Sequence, residues 1–151
     1  FWLKVWFKPR NGLARANSET FGPMATESGV VSAAVAEAAA LKGLEDPLVI
    51  DARDPDEIDG AKGGPAIAGS VTVPFNMDRA KQSDRATTFD EYKAKLEAAG
   101  CLPADKAKAI ITHCGSGGRG GRSTTVLREM GFTNVHNGGS PDNIRAARGE
   151  A

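Results

Sequence analysis

The sequence has little cysteine, because only Cys101 and Cys114 occur among its 151 residues. Two cysteines do not make the multi-disulfide framework that holds small secreted domains together. Free thiols persist in reducing compartments, so we expect an intracellular protein.

The sequence also lacks a charge excess and a long apolar run. It has 19 basic and 19 acidic residues, so its formal net charge is zero. Because binding to phosphates needs a basic excess, this balance argues against a nucleic-acid partner. No apolar run approaches the roughly 20 residues that a membrane span requires, so we expect no membrane partner.

Residues 1–25 differ from the rest of the chain, because Lys8, Arg10 and Arg15 all precede the first acid, Glu19. Three interpretations remain open: the remnant of an organellar transit peptide, an edge strand followed by a loop, or sequence added for expression. A transit remnant would move the expected location from the cytoplasm to a plastid or mitochondrion. Since the chain begins with Phe1, we expect it to be processed, truncated or partial. We expect one folded domain over residues 26–151.

Short apolar runs alternate with helical periodicity along this domain. The predicted strands contain residues 48–50, 67–73, 109–111 and 135. Helices are predicted over residues 30–41, 56–59 and 89–99, in a segment that ends at Gly131, and at the end of the chain from Pro141. Continuous apolar runs are typical of strands covered on both faces. The alternation predicts an α/β fold with a central parallel sheet of four to five strands, flanked by helices on both faces.

Cys114 follows the predicted central strand and begins a loop in which positions 115, 117, 118, 120 and 121 are glycine. Such a loop can take positive φ and turn its N–H groups inward as an anion nest. The positive end of the following helix, with Arg119 and Arg122, predicts a Cys114 pKa below about 8.5. We therefore predict that Cys114 is a nucleophile, the alternative being a packed cysteine beside a flexible connector.

Four segments resemble the rhodanese-like domain, a family of single-domain sulfurtransferases. They are LVIDARDPDEI from Leu48, AIAGSVTVPFN from Ala66, ITHCGSGGRG from Ile111 and GFTNVHNGGS from Gly131. They occur in the order found in that family. The resemblance implies the rhodanese fold for this domain.

The resemblance also implies a reaction. Cys114 would attack the outer sulfur of a small anionic donor such as thiosulfate and become a persulfide. The sulfur would then pass to cyanide, a thiol or a protein acceptor, without a metal or organic cofactor. Arg119 would bind the anionic part of the donor. The resemblance implies that the following residues also bind the substrate: Gly115, Ser116, Gly117, Gly118, Gly120, Asp51 and Arg53.

Loop length separates this reaction from its nearest alternative. Residues 114–119 have the six-residue length of the rhodanese loop, whereas cysteine phosphatases follow H-C-x5-R, which would place Arg at position 120, a glycine here. Gly120, Gly121 and Arg122 are then expected to open the following helix. A phosphatase or arsenate reductase on the same fold, and a non-catalytic rhodanese-like binding module, remain the alternatives.

Several other polar residues have two interpretations each. Asp51 and Arg53 either shape the rim of the site or form a structural salt bridge. His113 is a base or, in the favoured interpretation, a packed histidine. Cys101 resolves a persulfide or, in the favoured interpretation, only packs. His136 has no metal-ligand spacing with His113, so we predict no metal site.

Overall fold

The computed structural model describes residues 30–58, 64–75 and 87–150. Most of the predictions for residues 1–25, for the Gly-rich loop after Ile58 and for residues 76–86 therefore lie outside the described residues. Among the described residues, no helix has the length and apolar character needed to cross a bilayer.

The centre of the domain is a sheet of four parallel strands. They are β1 (Leu48–Asp51), β2 (Val71–Thr72), β3 (Ile110–His113) and β4 (Val135–Asn137), in the order β2-β1-β3-β4. In the register of the sheet, Val49 lies beside Ile111, which in turn lies beside His136. The predicted parallel sheet is confirmed, although β2 is shorter than the predicted strand.

Within the part of the chain that the structure describes, five helices accompany these strands. They are α1 (Ala38–Lys42), α2 (Pro55–Ile58), α3 (Phe89–Ala99), α4 (Gly118–Glu129) and α5 (Pro141–Arg148). A capping box begins α3, because Thr88 Oγ1 accepts from the Glu91 amide at 3.2 Å and Glu91 Oε2 accepts from the Thr88 amide at 2.9 Å. Gly100 ends α3 with a φ of 64°.

The sheet has a separate apolar cluster on each face. Ile50 and Ile110 pack in a cluster with side chains of α3 and α4, such as Leu96 and Leu127. Their neighbours along the strands, Val49 and Ile111, pack in a second cluster with side chains of α1 and α5. Successive strand residues face opposite sides of a sheet, so this alternation explains why both strands begin with a continuous apolar run.

The predicted helix over residues 30–41 is wrong for its first eight residues. Residues 30–37, called the N-terminal strap below, are extended, and α1 begins only at Ala38. Val35 forms a parallel bridge with Asn137 at the edge of the sheet. The Ala36 amide donates to the Asn137 carbonyl at 2.8 Å, and the Ala33 amide donates to the Gly121 carbonyl at 3.1 Å. These contacts override the helix propensity of an alanine-rich segment.

Side chains of α4 complete the attachment of the N-terminal strap. Thr125 Oγ1 donates to the Val31 carbonyl at 2.6 Å, and Arg122 Nε donates to the Val30 carbonyl at 3.0 Å. In the other direction, Ser32 Oγ donates to the Gly118 carbonyl at 3.0 Å. The strap is therefore held against the start of α4 mainly by hydrogen bonds.

Asn137 joins the strap to the loop after β3. Its Nδ2 donates to the carbonyls of Ala33 at 2.8 Å and Gly117 at 2.9 Å, and its Oδ1 accepts from the Gly139 amide at 3.0 Å. The residue is 1% exposed. Three backbone groups from three segments thus depend on one amide side chain.

We expect Asn137→Ala to lower the free energy of unfolding by about 2–4 kcal/mol, because buried backbone groups would lose their partner. Urea denaturation measures this loss. Asn134→Ala is the matched control, because the half-buried Asn134 makes only two side-chain contacts among the described residues, Nδ2 with the Ala107 carbonyl at 3.4 Å and Oδ1 with His136 Nε2 at 2.8 Å, and it should lose less. If Asn137→Ala lowers the free energy of unfolding no more than Asn134→Ala does, the role of Asn137 in linking the three segments is contradicted.

Candidate active site

Cys114 lies at the carboxyl edge of the sheet, immediately after β3. The residues that follow it turn sharply, and α4 begins at Gly118 with Gly117 as its N-cap. The Cys114 amide donates to the Gly139 carbonyl at 3.1 Å, which fixes the thiol at the junction of β3 and the turn after β4. Cys114 is 2% exposed, whereas Gly115 and Ser116 are exposed. Because so little of Cys114 is exposed, we infer that only a narrow group can contact its sulfur.

The Cys114 sulfur is surrounded by backbone N–H groups. The Gly117 amide donates to Sγ at 3.1 Å. Burial raises the pKa of Cys114, but hydrogen bonds from the amides of Gly120, Ser116, Gly117 and Arg119 outweigh burial and lower the pKa from its ordinary value. The positive end of α4 acts in the same direction. We call this arrangement the amide cradle, formed by the N–H groups of Ser116, Gly117, Arg119 and Gly120.

The glycines of the loop serve two different purposes. The prediction that they provide positive φ holds for Gly117, whose φ is 100°. Gly120 instead permits close packing, because a Cβ there would lie 2.8 Å from His113 Cα and 2.9 Å from the His113 carbonyl carbon. Gly121 meets the N-terminal strap in the same way, since a Cβ there would lie 2.5 Å from the Ala33 carbonyl oxygen. Glycine therefore brings α4 close to β3 and to the strap.

Two threonines hold the first turn of α4 on β3. Thr112 Oγ1 donates to the Gly120 carbonyl at 2.6 Å, and Thr124 Oγ1 lies 2.6 Å from Thr112 Oγ1. Both threonines are fully buried. The prediction that the helix opens at Gly120 is therefore wrong by two residues, because α4 begins at Gly118 and Thr124 lies well inside it.

Arg119 lies in the first turn of α4 and is bound to acidic side chains. Its guanidinium forms a bidentate pair with Glu57, in which Nη2 donates to Oε1 at 2.7 Å and Nη1 donates to Oε2. Nη1 also lies 3.8 Å from Asp54 Oδ2. Hydrogen bonding to Glu57 raises the pKa of Arg119. Burial raises the pKa of Asp54, against the opposing effect of Arg119.

Sequence reasoning missed Glu57 and Asp54 as neighbours of the site. Both follow β1, and β1 pairs directly with β3, which ends one residue before Cys114. Carboxyl ends of adjacent parallel strands meet at one edge of a sheet, so the acidic turn D-P-D-E was the available signal. The prediction that Arg119 binds a donor anion stays a prediction.

The second expected cation, Arg122, has a structural contact. Its Nε donates to the Val30 carbonyl of the N-terminal strap. The expectation that Arg122 adds charge to the thiol site is not supported by this contact.

Asp51 and Arg53 lie in the interior, with 0% and 1% of their surfaces exposed. Arg53 Nη2 donates to Asp51 Oδ2 at 2.6 Å, and Arg53 Nε donates to Asp51 Oδ1 at 2.9 Å. Arg53 Nη1 also donates to the Gly64 carbonyl at 3.0 Å. This geometry agrees with the structural salt bridge, and the prediction that these two residues bind substrate stays a prediction.

His113 is fully buried beside this pair, and its Nε2 lies 3.7 Å from Asp51 Oδ2. Burial lowers the pKa of His113, so the imidazole is neutral at pH 7. Its Nδ1 lies 3.4 Å from the Cys114 carbonyl oxygen, and no hydrogen bond from His113 to the Cys114 sulfur is present in the described structure. The packed-histidine interpretation therefore fits better than a base.

The remaining candidates lie outside this constellation. Cys101 is half-buried and packs on the apolar cluster next to α3 and α4, and burial raises its pKa. His136 Nε2 lies 2.8 Å from Asn134 Oδ1. Within residues 30–58, 64–75 and 87–150, no group of three or more His, Cys, Asp or Glu residues is arranged to hold a metal ion.

Comparison with known families places these features in context. The sequence model of the rhodanese-like domain matches residues 34–139, which is more than two thirds of the chain and includes the Cys114 loop, Glu57 and Asn137. Comparison with curated proteins gives no match.

The solved structures similar to the chain include three from different organisms. A rhodanese with anions from E. coli is 23% identical, with 65% of this chain and 91% of that chain covered and a TM-score of 0.45. An uncharacterized protein from Saccharomyces cerevisiae is 26% identical, with coverages of 70% and 80% and a TM-score of 0.43. A 3-mercaptopyruvate sulfurtransferase from Leishmania major is 16% identical; 70% of this chain and 33% of that chain are covered, with a TM-score of 0.45.

The opposite pKa shifts of the two cysteines predict a difference in alkylation by iodoacetamide. The reactive species is the thiolate, so alkylation of Cys114 should rise with pH around a midpoint below the ordinary value of about 8.5, and that of Cys101 around a midpoint above it. Peptide mass spectrometry across a pH series resolves both sites, and Cys114→Ser isolates Cys101. Equal midpoints would contradict the amide cradle.

We expect Gly120→Ala to lower the free energy of unfolding by about 1–3 kcal/mol, because the added Cβ overpacks the contact with β3. Gly118→Ala is the matched control in the same helical turn, where the nearest atom to the added Cβ is Arg122 Nη1 at 3.8 Å. The control should be neutral or slightly stabilising, because alanine favours helix. Similar stability of the two variants in urea would contradict the close-packing role of Gly120.

Proposed function

The chain belongs to the rhodanese-like domain family, and we propose that it is a sulfurtransferase that carries sulfur as a persulfide on Cys114. The observation that carries this proposal is the amide cradle, in which the Gly117 N–H lies 3.1 Å from the Cys114 sulfur. Amide donors stabilise a sulfur anion both on the resting thiolate and on the outer sulfur of a persulfide.

In the proposed first half-reaction, the Cys114 thiolate attacks the outer sulfur of a sulfane-sulfur donor. With thiosulfate, a new S–S bond forms at Cys114, the bond to the sulfonate sulfur breaks, and its electron pair leaves with sulfite. In the second half-reaction an acceptor such as cyanide or a thiolate attacks the outer sulfur of the persulfide, and the Cys114 thiolate is the leaving group. The cycle is ping-pong and needs no metal or organic cofactor.

The loop supports sulfur transfer better than phosphoryl transfer. The family's six-residue loop corresponds to residues 114–119, and the seventh position that a cysteine phosphatase fills with Arg is Gly120. The Gly120 site is also tightly packed against His113, so a longer loop has no room to open there. A single sulfur atom needs a smaller cradle than a phosphate with its equatorial oxygens.

The surroundings of the reaction are part of the same proposal. We propose small sulfur compounds or a protein acceptor as the partners, with no role for nucleic acid or a membrane. We also propose an intracellular setting, because a thiol nucleophile works only while it stays reduced.

We expect the protein to form thiocyanate from thiosulfate and cyanide, and Cys114→Ser to reduce this activity to background. Intact mass spectrometry after incubation with donor alone should show a gain of one sulfur atom on the native protein and none on Cys114→Ser. Cys101→Ser is the matched control and should retain both results. Hydrolysis of an aryl phosphate without any sulfur loading would favour the phosphatase, and neither activity would favour a binding module.

A further inference from the structure

Arg119 is the one arginine in the six-residue Cys114 loop, but the side chains around it carry negative charge. Arg119 faces two carboxylates, because Glu57 accepts from both of its terminal nitrogens and Asp54 Oδ2 lies 3.8 Å from Nη1. When both acids are ionised, this cluster carries a net negative charge. Lys95 and Asp56 also act on Asp54 at longer range, and their opposite charges offset each other.

The acidic cluster lies beside the loop that begins at Cys114, because Arg119, whose guanidinium faces both carboxylates, is the last residue of that six-residue loop. The Cys114 and Arg119 charges interact, since the thiolate is among the causes that raise the pKa of Arg119. The side chains are 8% exposed for Arg119, 27% for Glu57 and 36% for Asp54, so water screens them only in part. Partly buried charges keep much of their effect on an ionic ligand.

The rest of the described loop offers no compensating cation. Its other side chains, at positions 115–118, are three glycines and one serine. Arg122, three residues further along α4, directs its Nε to the Val30 carbonyl of the N-terminal strap. Within loop residues 114–119, the groups other than Arg119 that can bind an anion at Cys114 are therefore backbone amides, which suit one sulfur anion rather than an ion with two charges.

We infer that Glu57 makes this site selective for sulfur donors and acceptors that carry a neutral or positive group beside the reacting sulfur, and disfavours thiosulfate and other anionic partners. This inference rests on the proposed sulfurtransferase function. The corresponding donor is an organic persulfide, RSSH. The Cys114 thiolate attacks the outer sulfur, the S–S bond of RSSH breaks, RS⁻ leaves with the electron pair, and the outer sulfur keeps its proton as Cys114–SSH.

A series of thiol acceptors with one carbon skeleton tests the selectivity. Protein loaded with excess thiosulfate, or with cysteamine persulfide, is desalted and mixed with cysteamine, 2-mercaptoethanol or 2-mercaptoethanesulfonate. Mass spectrometry follows the loss of the sulfur atom, and each rate is divided by the thiolate fraction of that acceptor. We expect the rates to fall from the ammonium to the hydroxyl to the sulfonate compound.

Glu57→Gln should remove most of this preference, because glutamine keeps an acceptor oxygen while the cluster of Arg119 with Asp54 loses its net negative charge. We expect about a tenfold gain for the sulfonate acceptor and for loading by thiosulfate, a smaller gain for 2-mercaptoethanol and little change for cysteamine. Glu129→Gln is the matched control, because Glu129 is exposed at the opposite end of α4, and it should behave as the native protein.

Native protein provides a measurement that does not depend on folding of the variant. Added salt screens repulsion, so thiosulfate loading and transfer to the sulfonate acceptor, both involving a doubly charged anion, should accelerate most. Transfer to the singly charged thiolate of 2-mercaptoethanol should accelerate less, and transfer to the zwitterionic thiolate of cysteamine should change little. If Glu57→Gln does not fold, Asp54→Asn replaces it, with a smaller gain in the same direction.

The outcomes separate the two proposals. Failure of both thiosulfate and cysteamine persulfide to load Cys114 would overturn the sulfurtransferase proposal. Normal loading, with acceptor rates independent of charge, or with equal gains for all acceptors in Glu57→Gln, would overturn the selectivity inference alone.

Discussion

The close approach of the first turn of α4 to β3 is the constraint on which the site depends. A side chain at position 120 would collide with the His113 backbone, so glycine there allows the helix to start directly above the strand end. The buried Thr112 hydroxyl then fixes the Gly120 carbonyl at 2.6 Å. This contact points the free N–H groups of the helix start at the Cys114 sulfur. Without it, the loop would still contain a cysteine but not a set of converging donors.

This arrangement activates the thiol mainly through backbone dipoles and not through a neighbouring base. His113 is adjacent in sequence but is buried against Asp51, and its own pKa is lowered by burial. The charged side chains near the loop form their own pairs, Arg119 with Glu57 and Arg53 with Asp51. The Arg119 pair joins α4 to α2, and the Arg53 pair lies within the segment at the end of β1, while the amides act on the sulfur.

The sequence predicted what depends on local pattern. The helix over residues 89–99, the start of α5 at Pro141 and the parallel strands all follow from periodicity and turn residues. Prediction from the sequence failed where residues distant along the chain determine the local structure. The N-terminal strap has helical spacing, but its hydrogen-bond partners lie on α4 and β4, far along the chain. Likewise, the Arg119 pair with Glu57 joins residues 62 positions apart, and no local rule indicates it.

An active site made from amides has a consequence for how the protein can change over time. Backbone N–H groups are present whatever the side chain, except proline, so most substitutions in the loop do not delete a donor; they only move it. Adaptation to a new sulfur compound would therefore proceed through the surrounding carboxylates and through the mouth of the loop. The amide cradle is therefore the constant part of the site. The acidic turn after β1 is the part that can change, because a single mutation there alters the local charge.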